Sequence, residues 1–103
     1  MGAFVVIEVS GPSWDVSRGR REQDGWDEHA AFMDGLVDEG FVVLGGPLGD
    51  GDRVMLVVEA EDEDEVRRRF APDPWLPAGI LEVASLEPWT IWLDARKPRF
   101  APE

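Results

Sequence analysis

Short apolar runs alternate along the chain with polar, turn-rich segments, and the spacing of the apolar positions predicts the elements one by one. Ala3 to Val9 (Ala-Phe-Val-Val-Ile-Glu-Val) is β-branched and almost unbroken, which predicts a first strand. Ser10 to Gly25 combines Gly, Pro and Ser with the basic knot Arg18-Gly-Arg-Arg21 and reads as a long loop, of the kind that is functional or mobile in small domains. From Trp26 to about Glu39 the period changes. Trp26, His29/Ala30, Phe32/Met33 and Leu36/Val37 recur at three- and four-residue spacing, the mark of an amphipathic helix. Asp27 and Glu28 suit its positive end, and Gly40 stands where a helix-terminating glycine belongs.

Phe41 to Leu44 predicts a second strand, ended by Gly45-Gly46-Pro47. Asp50-Gly51-Asp52 is a turn signal before a third strand, Arg53 to Ala60, so the two form a hairpin. Glu61 to Phe70 predicts a second helix. Asp62 can cap it with Glu65 three residues on, Arg67, Arg68 and Arg69 suit its negative end, and Val66 and Phe70 supply its inward side. Ala71 to Gly79 is broken by three prolines. Ile80 to about Leu86 predicts a fourth strand, extended by Glu87 to Asp94, and a polar tail follows from Ala95. The order βαββαβ predicts an α+β ferredoxin-like sandwich, with one domain over residues 1–94 and a tail over 95–103.

A sheet with helices on one face and water on the other should alternate apolar and polar residues. Phe4-Val5-Val6-Ile7, Phe41-Val42-Val43-Leu44 and Val54-Met55-Leu56-Val57-Val58 instead place apolar side chains on both faces. A second copy of the same sheet is the simplest cover, so the pattern predicts a homodimer.

Composition removes whole classes of chemistry. Ten Lys and Arg against 22 Asp and Glu give a net charge of −12, a field that repels phosphate backbones and anionic lipid. The expected partners are therefore a second copy and a small molecule, with no nucleic acid and no membrane. With no Cys, thiol nucleophiles and thiolate metal sites are excluded, and one His cannot build a multi-His metal centre. No metal or other cofactor is implied. The longest apolar runs are about five residues, against the roughly 20 that span a bilayer, and no export signal is visible at the N-terminus. A cytoplasmic location is the resulting expectation.

His29 is therefore the main candidate for proton chemistry. In a βαββαβ topology the start of the first helix and the end of the second lie at the same edge of the sheet, so Asp73, 44 positions away, can share one solvent-reachable cleft with His29. A carboxylate against an imidazole orients the ring and stabilises its protonated form. Both residues also have ordinary roles, His29 as a core histidine and Asp73 as a turn residue before Pro74. Ser10 and the segment Gly46-Pro47 converge on the same edge. Trp14, Trp26 and Trp75 flank it in sequence and can line an apolar pocket. Arg18, Arg20 and Arg21 can bind an anionic substrate group. No Gly-x-Ser-x-Gly elbow accompanies Ser10, Ser13 or Ser17, which argues against acyl transfer.

Taken together, these residues resemble the YCII-related family of small dimeric α+β barrel proteins. The matching run is His29 in an amphipathic first helix, Gly40-Phe41 leading to Leu44-Gly-Gly-Pro47, an apolar third strand and an acid-capped second helix. Asp73-Pro74-Trp75, Ala78-Gly79 and a closing strand reaching Pro88-Trp89 complete it, over roughly residues 3 to 92. The resemblance implies a His–Asp active site, whose roles fall on His29 and Asp73, and an enzyme of isomerase, lyase or dehydrohalogenase type acting on ring compounds. The segment before His29, with Gly11-Pro-Ser-Trp-Asp15 and Arg18 to Arg21, departs from the family pattern, so the substrate does not carry over. The alternative is a non-catalytic homodimer that binds a small ligand or a protein partner, with His29 structural.

Overall fold

The computed structural model describes residues 2–96, so most of the expected tail, 97–103, lies outside the described residues. The elements run β1 (Gly2–Ser10), a 3-10 turn (Arg20–Glu22), α1 (Trp26–Asp38), β2 (Val42–Leu48), β3 (Arg53–Ala60), α2 (Glu63–Phe70) and β4 (Leu81–Trp89). All pairings are antiparallel, in the order β2-β3-β1-β4. This is the α+β ferredoxin-like arrangement expected from the sequence.

The period-two rule separates the faces of β1. Phe4, Val6 and Glu8 are buried on the helix side, and Val5, Ile7 and Val9 are only half-buried on the other. Across the ladders, Phe4 stands opposite Val58 and Val6 opposite Leu56 and Leu86. These residues form the main core with Leu36, Phe41, Val66 and Phe70. The uncovered face carries Val5, Ile7 and Met55 together with Leu44, which is 52% exposed. It is the apolar second face that the strand sequences predicted.

Local chemistry explains the ends. Asp62 accepts from the Glu65 amide at 2.8 Å and so caps α2, while the Glu65 carboxylate accepts from the Glu61 amide. Gly40 takes a positive φ of 77° after α1, where the Phe41 amide donates back to the Leu36 carbonyl.

Two expectations about strand ends need correction. Gly45-Gly46-Pro47 does not end the second strand but lies inside β2, with Gly46 opposite Met55 and Pro47 opposite Val54. A Cβ on Gly45 would collide with the Leu56 side chain, so this glycine serves close cross-strand approach, and Pro47 is tolerated because β2 is an edge strand. The fourth strand does not extend to Asp94. It stops at Trp89, opposite Ala3, because β1 begins at Gly2 and offers no further ladder. Both edge strands are irregular. The register shifts at Val43 in β2, and β4 carries Ala84 as an extra residue opposite the Ile7–Glu8 step. Among the described residues, no helix is long and apolar enough to cross a membrane.

Candidate functional site

The end of β1, the start of α1 and the connection from α2 to β4 meet at one end of the sheet. Gly11 ties the first to the last: its amide donates to the Ile80 carbonyl at 2.8 Å, and the Ser13 amide to that of Gly79, also at 2.8 Å. A Cβ on Gly11 would collide with the Gly79 carbonyl, so only glycine permits this crossing. A second core forms here from Trp75, Ile80 and Leu81, with Trp14, Trp26 and Leu76 packed against it.

Asp73 is held by this connection. Its amide donates to the Phe70 carbonyl at 2.9 Å, and its Oδ1 accepts from the Trp75 amide at 2.9 Å, an Asx turn of the kind that favours aspartate. His29 enters from the first turn of α1, and its Nδ1 lies 2.9 Å from both Asp73 oxygens. A carboxylate only accepts, so Nδ1 carries the proton and Nε2 is the nitrogen free to take or give another. The Trp75 indole stacks flat on the imidazole, with centroids 4.0 Å apart and planes 6° from parallel, and Trp26 stands 5.8 Å away. Trp75 is itself fixed by donating from Nε1 to the Asp24 carbonyl at 2.7 Å. The ring can neither rotate nor tilt without breaking one of these contacts.

The site is more closed than the cleft expected from the sequence. Asp73 is fully buried and His29 is 7% exposed, because Trp75 covers one imidazole face and Trp26 crowds the ring. The carboxylate is thus removed from water, and its oxygens accept from His29 Nδ1 and the Trp75 amide, the hydrogen bonding that a buried polar group requires.

The remaining candidates divide. Trp14, Trp26 and Trp75 join the cluster, Trp14 meeting Trp75 edge-on at 6.2 Å. The loop before α1 is ordered by Gln23, a buried residue whose Nε2 donates to the carbonyls of Asp15 and Arg18. Asp15 in turn accepts from the Ser17 hydroxyl and amide, which hold its carboxyl below the usual range. Arg18 is paired with Asp24 at the surface, 3.3 Å away, Arg21 lies over Trp26, and Arg20 lies over Trp14. Ser10 is exposed at the end of β1, opposite Leu81. Gly46 and Pro47 lie in β2, which β3 separates from β1. No group of three or more His, Asp or Glu among the described residues is placed to hold a metal ion.

One residue went unnoticed in the sequence. Glu8 is 2% exposed among the helix-facing residues of β1, and its Oε2 has no hydrogen-bond partner. Burial above all, and then the Asp73 charge, push its carboxyl up to about 7, against the opposing pull of His29 and Arg20. The available signal was its place in the alternation: Phe4, Val6 and Glu8 share a face.

Comparison with known proteins agrees with the fold. The family profile of the YCII-related domain matches residues 2–90. A solved structure of 5-chloro-2-hydroxyhydroquinone dehydrochlorinase (TftG) from Burkholderia phenoliruptrix, in complex with 2,5-dihydroxybenzoquinone, superposes with a TM-score of 0.62 at 28% identity. The match covers 85% of this chain and 93% of that one. No match is found among curated proteins.

Proposed function

Since this chain belongs to the YCII-related domain family, we propose that it is a small-molecule enzyme in which His29 moves a proton on a hydroxylated ring compound. The reaction is an elimination or isomerisation that needs no cofactor. His29 Nε2 takes the proton from an O–H or activated C–H, and Asp73 keeps the imidazole oriented and balances its charge. Trp14, Trp26 and Trp75 shape the approach to the ring.

The observation that carries this reading is the His29 Nδ1 contact, at 2.9 Å from both oxygens of a fully buried Asp73, in a chain similar to a dehydrochlorinase. An imidazole so held has one nitrogen committed and the other available. General acid/base catalysis of this kind supplies about 10²–10⁴-fold, which suits activated substrates such as hydroxyquinols.

The test is chloride release from 5-chloro-2-hydroxyhydroquinone by the wild type, His29→Asn and Asp73→Asn. Asn at position 29 can still donate to the buried carboxylate, which protects the fold. A loss of about 10²-fold or more in both variants supports the reading, and wild-type turnover in either one refutes it. The near-closure of the site favours a second reading, a binding module with His29 structural. That reading predicts tight association with 2,5-dihydroxybenzoquinone without turnover of the chlorinated compound.

The working unit in this proposal is one domain over residues 1–94, paired with a second copy. The uncovered sheet face, with Val5, Ile7, Met55 and Leu44, supports a homodimer formed face to face.

A further inference from the structure

Three arginines stand in the loop before α1, and the structure treats them differently. Arg18 is engaged at the surface by Asp24, 3.3 Å away. Arg20 and Arg21 form no ion pair among the described residues, although Glu22, Asp24, Asp27 and Glu28 are close by in sequence. With 22 acidic residues against ten Lys and Arg, carboxylates to pair with are not scarce.

Both arginines rest instead on the aromatic wall of the His29 site. The Arg20 guanidinium lies 5.3 Å from the centre of a Trp14 ring, and that of Arg21 lies 5.9 Å from Trp26. Trp26 is 5.8 Å from the imidazole, so one indole separates Arg21 from His29. Trp14 meets Trp75 edge-on and Trp75 stacks on the imidazole, so two indoles connect Arg20 to the same ring. Trp14 and Trp26 are half-buried and Arg21 is exposed, whereas Trp75 is fully buried, which puts the arginines on the solvent side of the cluster. Arg20 is half-buried, and its charge, like that of His29, pulls the Glu8 carboxyl down against the effect of burial.

A guanidinium partly out of water needs compensation. An indole face supplies roughly 0.5–1 kcal/mol at exposed positions and leaves the five N–H donors unused. A planar oxyanion matches that fork two bonds at a time. The net charge of −12 repels anions at long range, so a local pair of arginines is what admits one here.

We propose that Arg20 and Arg21 form an anion-binding rim of the His29 site, and that its ring substrate enters as a planar oxyanion, held on the guanidinium side with its reacting position toward Nε2. The inference rests on the acid/base reading of His29 given above and names its substrate class, a single-ring acid lying along Trp26. Arg18, engaged by Asp24, takes no part. A carboxylate and an ionised enolic oxygen share the chemistry that the rim recognises.

The test is calorimetric titration of the full chain at low salt with two anions and their uncharged counterparts. 2,5-Dihydroxybenzoquinone, whose acidic enolic hydroxyls are ionised at neutral pH, is set against 2,5-dimethoxybenzoquinone, and 2,5-dihydroxybenzoate against its methyl ester. At least one anion should bind about tenfold or more tighter than its counterpart, and which one does so identifies the oxyanion. Arg20→Gln and Arg21→Gln should each remove most of that preference, and Arg20→Lys should keep part of it. Arg18→Gln, which loses an equal charge, should leave it in place. Circular dichroism checks that each variant is folded. The proposal is overturned if neither anion binds, if the uncharged counterparts bind as tightly, or if Arg18→Gln loses as much as the other two, the mark of a general charge effect. Chloride release tests His29 separately: a wild type without turnover refutes the reading of His29, and the titrations decide the arginines whatever that outcome.

Discussion

Replacing Glu8 by glutamine should stabilise the protein, and by an amount that depends on pH in a defined way. In the folded state the Glu8 carboxyl holds its proton up to about 7, while the ordinary value in an unfolded chain is 4.5. Between these values the folded state binds more protons than the unfolded one, so its stability falls as pH rises through this window. The loss is complete above about 7 and absent well below 4.5. Keeping the proton from 4.5 up to about 7 corresponds to roughly 3 kcal/mol. Glutamine has nearly the same shape and no such titration. Its advantage over the wild type should therefore grow by roughly 2 to 3 kcal/mol between about pH 5 and about pH 8. The lower limit stays above the isoelectric point of about 4.3, where the net charge vanishes. Urea denaturation followed by tryptophan fluorescence at several pH values measures this directly, because the fully buried Trp75 reports loss of the site. A stability difference that stays constant across the range, or shrinks as pH rises, would refute the argument that burial governs this carboxyl.

Other consequences can be checked with single variants. Asp62→Ala removes the cap of α2 and should cost about 1 kcal/mol in denaturant unfolding, with turnover unchanged. Trp75→Phe keeps an aromatic ring against His29 but orphans the Asp24 carbonyl, so it should cost about 1–3 kcal/mol and lower activity through a looser imidazole; a wild-type melting temperature would contradict this. Ile7→Lys places a charge on the uncovered face of β1 and should halve the mass seen by sedimentation if two copies meet there, with the circular dichroism spectrum unchanged.

Much of this architecture is legible in one sequence because local and long-range signals agree. The apolar pattern identified α1 and all four strands, missing only where β2 and β4 end, and Asp62 with Glu65 marked the start of α2. The shared edge for His29 and Asp73 followed from topology alone, since up-and-down alternation fixes which element ends are neighbours. What escaped reading depended on contacts between distant residues. Gly45 and Pro47 carry turn chemistry, yet the neighbouring Leu56 side chain and the edge position of β2 decide their conformation. Glu8 was absorbed into an apolar strand because its burial is set by elements far along the chain. The closure of the site depends on how Trp75 stacks, which spacing does not encode.

The irregularities at Val43 and Ala84 carry a lesson about association. They fall on the two outermost strands, so each rim of the sheet has its row of free amides and carbonyls interrupted partway along. Another chain cannot anneal sideways to either rim over its full length, and an endless ribbon of copies is blocked at both ends. For a sheet whose second face is apolar, the interruption at each rim works against strand-to-strand association.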